Sequence, residues 1–479
     1  MHYDVILIGS GMGSLTSAAL LAKKGYNVLI IEQNWIPGGC TTSYWRKGFV
    51  FEAGATTLVG MDRGMPLRHL LDSTGIQIPM RKLDLPMQVH MPGKDMINKF
   101  QDIDDWISEA KKHFDGKQEK FWRQSYDISR FVWDASLKYL NFPPRRVNDF
   151  MKLARGFSLN DAIEARHSLI STEKIIRKHR LIEPDFRKFI NEQLMITAQN
   201  TMEEVNYLFG AASLCYTNYT NYYIDGGLIN LVRPIVNYIE KNNGKIIYRK
   251  AVQNVNRKRG LYEVHTKDEV YKSKFVISGI PVNNTRSLFN GRVSTKANLM
   301  DSKKLNSAFQ MGIGFKPSRK FASIHHQIHL EKPLIGTGSG SIFVSLNHPE
   351  DTSRSDLKDY QVASVSTHLP DPENTVFDKE RVEKEIVEVL EKSGFLKKEN
   401  IAYAHSSTSY SWKKWTKRKW GFVGGYPQFM KIKPWLMNEA RLDDQGAYQV
   451  GDTVYPGQGI PGTTLSGIIA AEKLMDDTK

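Results

Sequence analysis

Apolar positions in this chain follow two periods, and where each occurs predicts the elements. Residues Tyr3 to Ile8 read as an apolar run of strand character, and the Ala- and Leu-rich stretch Leu15 to Lys24 reads as a helix. A second strand, Asn27 to Ile31, follows Gly25. Between residues 100 and 215 apolar residues recur at spacings of three and four, as in Asp102 to Phe114 and Glu119 to Leu140, which predicts a mostly helical region. A helix running to Lys241 comes next, then strand Lys245 to Tyr248, the segment Lys250 to Asn256, and strand Phe275 to Ser278. The last expected helix is Gly462 to Leu474. Strands alternating with helices predict an α/β chain. Apolar runs such as Val5 to Ile8 and Ile468 to Ala471 fall short of the ~20 residues that a membrane-spanning helix needs.

At 479 residues the chain can bury a large cofactor across two or three intertwined substructures. Its 41% hydrophobic and 24% charged content is that of a globular protein, without repeats or low-complexity tracts. Cys40 and Cys215 are the only cysteines and form no C-x-x-C pattern, which argues against a disulfide framework or a cysteine-rich metal site. The N-terminal strand starts too early for a secretory signal, so a cytoplasmic setting is expected. The net charge of +15 points to an anionic partner or to a simply solvated basic surface. Lys and Arg are spread along the chain with no nucleic-acid-binding module, so a peripheral contact with anionic lipid is the specific expectation and nucleic acid is not.

The first chemistry-bearing motif joins the first strand to the first helix: Gly9-Ser10-Gly11-Met12-Gly13-Ser14, with Glu32 about 20 residues on, at the end of the second strand. Gly9 permits the tight turn, Gly11 lets a pyrophosphate approach bare backbone, and the helix N-terminus supplies amides and a positive dipole end. Glu32 is placed to accept hydrogen bonds from ribose hydroxyls, and its charge disfavours a 2′-phosphate, hence NADP. Ser14 stands where the third glycine is usual; it is small enough for helix-to-strand packing, a role Gly13 can share.

Pro37-Gly38-Gly39-Cys40-Thr41-Thr42-Ser43 and Gly48 to Thr57, which contains Gly54-Ala55-Thr56-Thr57, resemble the early part of phytoene desaturases and carotenoid isomerases. Those belong to a wider flavin family with amine oxidases, retinol saturases and Rab GDP-dissociation inhibitors. The segment Gly451-Asp452-Thr453-Val454-Tyr455-Pro456-Gly457-Gln458-Gly459-Ile460-Pro461-Gly462 is similar to the closing G-D-x-x-x-P-G-x-G of carotenoid isomerases and desaturases. The resemblance implies FAD as cofactor. It places the Gly-Gly turn along the pyrophosphate and ribityl chain, Ala55-Thr56 near the flavin ring, Asp452 on the ribityl chain, and the closing helix N-terminus at the pyrimidine edge. Val252 matches the residue whose backbone meets the adenine. The expected cofactor-binding residues are Gly9, Ser10, Gly11, Gly13, Ser14, Glu32, Gln33, Gly38, Gly39, Cys40, Thr41, Gly54, Ala55, Thr56, Val252, Gly451, Asp452, Gly459, Ile460 and Pro461. Many relatives carry Arg where this chain has Cys40; the thiol can be inert packing or reactive.

The resemblance implies a Rossmann-like FAD-binding domain built from residues 1–70, 220–285 and 430–479. A mixed α+β substrate domain (71–99 and 286–429) and a mostly helical cap or membrane-facing subdomain (100–219) complete it. Phe121, Trp122, Phe131, Val132 and Trp133, with the break Phe142 to Arg146, are expected either to touch a membrane or to pack as an ordinary helix pair. The basic, aromatic segment Ser411 to Gly425 is expected to be structural or headgroup-facing. On a strand, His325, His326 and His329 would not converge on one ion, so no metal is expected. No catalytic residue is identified. The implied activity is FAD-dependent redox or isomerase chemistry on carbon–carbon bonds of a long apolar polyene or isoprenoid. A retinol-type saturase, an amine oxidase, which would use a Lys near the flavin, and a non-enzymatic lipid escort are the alternatives.

Overall fold

The computed structural model describes residues 2–293 and 301–478. Met1, Lys479, and residues 294–300 inside the expected substrate domain lie outside the described residues. The N-terminal pattern becomes strand β1 (His2–Ile8), helix α1 (Met12–Lys23) and strand β2 (Val28–Ile31). The chain returns to this unit with helix α2 (Ile229–Lys241) and strands β3 (Gly244–Ile247) and β4 (Val270–Ser278). It returns again with strand β5 (Ala447–Gln449) and helix α3 (Ile460–Asp477).

The five strands are parallel in the order β3-β2-β1-β4-β5, and the hairpin Asn254–Lys258/Leu261–His265 pairs antiparallel with the first half of β4. Parallel strands are covered on both faces, which is why Val5, Ile6 and Leu7 form a continuous apolar run and are all fully buried. Strand order reverses between β1 and β4, the place where an open α/β sheet leaves a crevice beyond its strand ends.

Helices α1 and α3 cross closely because small residues meet there. Ser17 Oγ donates to the Gly467 carbonyl at 2.8 Å, and a Cβ on Gly467 would fall 2.4 Å from the Gly13 carbonyl oxygen.

A second, mostly antiparallel sheet has the order Ile401–Ser407, Asn306–Phe315, Gln361–Pro370, Ser341–Leu346, His325–His329, Met87–His90 and Ile97–Lys99. Its histidine strand is buried along its length. His325 Nδ1 meets Ser345 Oγ (2.9 Å), His326 Nε2 meets the Ser323 carbonyl (2.8 Å) and His329 Nε2 meets Gln327 Oε1 (3.1 Å). Burial lowers all three imidazoles to a pKa of about 3, so they are neutral at physiological pH. Among the described residues no group of three or more His, Cys, Asp or Glu could hold a metal ion.

Helices fill the stretch Ile103 to Leu214. Asp102 caps the first of them, accepting from the Asp104 and Asp105 amides. Of the two alternatives for these aromatics, the packed one holds for Phe121 and Trp122, which face inward with no exposure. Trp122 meets Trp106 edge-on at 5.0 Å and Phe121 meets Phe186 at 5.9 Å, so aromatic packing fixes that helix face in a core. Phe131, Val132 and Trp133 are half-buried. Among the described residues no helix is long and apolar enough to cross a membrane. We propose that the domain boundaries expected above divide the chain along these two sheets and the helical layer.

Candidate cofactor site

The expected cofactor segments meet at the carboxyl ends of β1 and β4. Gly9 has φ +84°, a conformation that side chains rarely adopt, and it turns the chain out of β1. The Gly38 amide donates to the Ser10 carbonyl at 2.9 Å, and Gly11 and Gly38 form a backbone bridge. Gly38 and Gly39 have φ +103° and +61°, and the Thr41 amide closes their turn onto the Gly38 carbonyl at 2.9 Å. A Cβ on Gly11 would meet nothing within 4 Å, so the backbone there is open to a ligand.

Glu32 is buried at the end of β2. Its Oε2 accepts from the Ser10 amide (2.8 Å) and Ser10 Oγ (2.6 Å), and its Oε1 accepts from the Asn34 amide (2.7 Å). A carboxylate has about four acceptor sites, so Oε1 keeps capacity for a further donor such as a ribose hydroxyl. Gln33 Nε2 lies 3.4 Å from the Trp415 carbonyl. Val252 is partly buried and packs against the apolar cluster that contains Ile8 and Ile31, two residues past Lys250, whose amide donates to the Glu32 carbonyl at 2.9 Å.

Gly13 and Ser14 serve packing. A Cβ on Gly13 would lie 3.0 Å from the Gly451 nitrogen, and one on Gly279 would lie 1.9 Å from Ser14 Oγ. The close approach usual for a third glycine is thus transferred to Gly279, on the facing strand end.

Cys40, Gly54 and Asp452 converge on the opposite wall. The Ala55 amide donates to the Cys40 carbonyl at 3.0 Å, and a Cβ on Gly54 would meet Cys40 Cβ at 3.2 Å; Thr56 follows, half-buried. Burial raises the Cys40 thiol above its ordinary pKa although Arg418 pulls the other way, so it rests as a thiol rather than a thiolate. Segment Gly54 to Thr56 is fixed by Glu52, which accepts from Ser43 Oγ at 2.6 Å and forms a buried ion pair with Arg354 at 2.7 Å. Gly451 has φ +110° and donates its amide to Ser466 Oγ at 2.9 Å, joining the closing segment to α3. Gly459 has φ +86° and leads into Ile460 and Pro461, the first positions of α3.

Three residues that sequence reasoning did not single out complete this wall. Arg418 Nη2 donates to Asp452 Oδ2 at 2.8 Å, placing a cation beside Cys40. Tyr426 is close to Asp452, and burial raises its hydroxyl pKa, so it stays protonated. Gln199, at φ +55°, donates to Gln458 in the closing segment. Each keeps a buried polar atom without a protein partner: Arg418 Nη1, Tyr426 Oη and Gln199 Oε1. Such atoms are costly unless a partner arrives. The one local signal was the arginine within the basic, aromatic segment; the rest depends on tertiary contact.

These features fit FAD. Helices α1 and α3 both begin on glycines, Gly11 and Gly459, without a side-chain cap, so two N-termini keep amides for anionic groups. The three orphaned polar atoms would offer donors and an acceptor to the hydroxyl and carbonyl groups of such a cofactor.

A crevice at a strand-order reversal with two uncapped helix N-termini defines a dinucleotide-dependent protein. Residues 15–475 match the family described as flavin containing amine oxidoreductase, and the chain belongs to that family. It is an FAD-dependent oxidoreductase of the amine oxidase type. Prolycopene isomerase 1 from an Oncidium hybrid cultivar is 24% identical over 519 residues, covering 99% of this chain and 84% of that protein. An all-trans-retinol 13,14-reductase from Danio rerio is 25% identical over 262 residues, covering 53% of this chain and 42% of that protein. The structure of putrescine oxidase bound to putrescine superposes with a TM-score of 0.67 at 14% identity over 99% of both chains, a likeness of fold.

Proposed function

We propose that the protein acts on the carbon–carbon double bonds of a long apolar polyene or isoprenoid, and that cis/trans isomerisation or desaturation is its reaction. The similarity to prolycopene isomerases along 99% of the chain carries this reading. Bound FAD supplies a centre that accepts or returns a hydride equivalent at such bonds. The chain's own residues position that chemistry. The α3 N-terminus and Arg418 favour negative charge at their end of the site. The protonated Tyr426 hydroxyl is a neutral donor beside Asp452. A small cavity of about 20 Å³, with Tyr426, Gln428, Phe429, Met437 and Asn438 among its lining residues, adjoins the closing segment at Thr453 and has room for a water molecule rather than a hydrocarbon.

Among the described residues the two buried lysines are engaged elsewhere, Lys99 among the rings of the helical layer and Lys473 on Glu439 at 2.8 Å. A saturase of the retinol type is the second reading, favoured by the match over half the chain to the retinol reductase.

The test is anaerobic incubation of holoprotein, with FAD oxidised or chemically reduced, with cis and trans polyenes, read by chromatography and mass. Unchanged mass with altered geometry, or loss of two hydrogens, supports the reading. Gain of two hydrogens selects the saturase. Peroxide formation from amines with no polyene turnover overturns both.

A further inference from the structure

The Val147–Gly156 helix is mounted the wrong way round for a soluble protein. Val147, Phe150, Met151 and Ala154 have the spacing of a core-facing stripe, yet all four are exposed, Val147 by 75% and Phe150 by 57%. Polar contacts hold the inner side instead. Asp149 is buried and accepts from Arg441 Nη1 at 2.7 Å, with the Arg145 amide at 3.0 Å and the Arg146 amide at 3.1 Å. Lys152 pairs with Asp476, and Arg146 Nη1 with Asp477 at 2.7 Å, both on the last turn of α3. Ion pairs face the protein and the apolar stripe faces out.

The apolar surface continues through Phe157, Leu159 (79% exposed) and Ile163. Between residues 147 and 169 the charged residues in the exposed class are Arg155 and Arg166, both basic. Two acids of that stretch are drawn in, Asp149 to Arg441 and Asp161 to Lys138 at 2.8 Å, while Glu164, 3.5 Å from His167, keeps its side chain 37% exposed. A contiguous apolar patch of this kind marks an interaction surface.

We propose that the Val147–Ile163 face docks onto an anionic lipid surface, with Phe150, Phe157 and Leu159 entering the headgroup boundary and Arg155 and Arg166 meeting lipid phosphates. Amphipathic helices combining bulky apolar anchors with cations bind in this manner. A second copy of the chain fits less well, because it would bring the same cations against one another. Docking does not depend on the choice of reaction. It would place a bilayer-dissolved hydrocarbon near the site, because Phe142, just before the helix, contacts Tyr455 of the closing segment edge-on at 4.9 Å.

The test is flotation of holoprotein with vesicles of phosphatidylcholine alone or mixed with phosphatidylglycerol. Wild type is expected to float with the mixed vesicles and far less with phosphatidylcholine. The triple variant Phe150→Ser, Phe157→Ser, Leu159→Ser is expected to lose at least ~100-fold in partitioning. Arg155→Gln and Arg166→Gln are each expected to cost about fivefold on mixed vesicles only. Because the altered side chains are exposed, all variants should keep the flavin spectrum and thermal midpoint of wild type. Absence of wild-type flotation, or a triple variant that floats as wild type does, overturns the inference. So does a wild-type dimer that the triple variant dissolves without any lipid binding.

Discussion

Gly11→Ala separates a glycine kept for a ligand from one kept for the fold. Gly11 has φ −67° and ψ 168°, an extended conformation open to any residue, and the new Cβ would touch nothing within 4 Å. Lower entropy of the unfolded chain favours Ala by ~0.4–1 kcal/mol, and the poorer N-cap offsets this by a similar amount. The apoprotein should therefore unfold within ~1 kcal/mol of wild type. The methyl group occupies the space over the helix N-terminus where a pyrophosphate must sit, and a 100-fold loss of FAD affinity corresponds to ~2.7 kcal/mol. With free FAD at ~1,000 times the wild-type Kd, ligand stabilisation of ~4.1 kcal/mol falls to ~1.4 kcal/mol. Unfolding entropy of ~2.1 cal/mol/K per residue over 479 residues makes this a midpoint gain of ~4 °C in wild type and under ~2 °C in the variant. Thermal unfolding with and without FAD, together with flavin retention after desalting, measures both quantities. Gly467→Ala is the contrasting control, because its Cβ would overlap the Gly13 carbonyl and lower apoprotein stability by ~1–3 kcal/mol. A Gly11→Ala protein that holds FAD as wild type does, or whose apoprotein melts several degrees lower, refutes the reasoning.

Two further outcomes follow from buried cations. Arg418→Gln should weaken FAD binding at least tenfold, because Asp452 loses its partner and the site loses its cation; flavin fluorescence titration measures it. Lys99 is fully buried, its Nζ 3.7 Å from the Trp106 ring centroid, and burial lowers its pKa from 10.5 to about 7. The unfolded chain therefore binds more protons than the folded one between those pH values, and wild-type stability should rise as pH rises from about 7 to 10.5. Lys99→Met should remove that rise and stabilise the protein at pH 7, by up to the ~5 kcal/mol to which the lowered pKa corresponds. Denaturant titration across pH checks both; a Lys99→Met protein less stable than wild type at pH 7 contradicts the assignment.

The nucleotide-binding unit was legible because its signals are local. The run Tyr3–Ile8, the glycine turn and Glu32 lie within one short stretch, and the structure changes only element ends, with α1 beginning at Met12 rather than Leu15. The closing helix likewise starts at Ile460, just before the expected Gly462. In the helical layer periodicity revealed helices but not which face turns inward. Phe121 and Trp122 were left between a membrane and a core and lie in an aromatic core, whereas the Val147–Gly156 stripe, a core pattern by spacing, faces out because Asp149 and Lys152 claim the inner side. Arg418, Tyr426 and Gln199 were illegible as site residues for another reason: only folding brings them to Asp452 and Gln458, and beyond the basic, aromatic segment that holds Arg418 nothing in their neighbouring sequence marks that destination.

The claim beneath all of this is that one FAD lies between the opening glycine turn and the N-terminus of α3. The direct measurement is the flavin content of the purified protein, by visible spectrum and by chromatography of the cofactor released on denaturation, repeated after incubation with added FAD. The expected result is a yellow protein releasing one equivalent of FAD per chain. A colourless protein that takes up no FAD when it is supplied contradicts the claim.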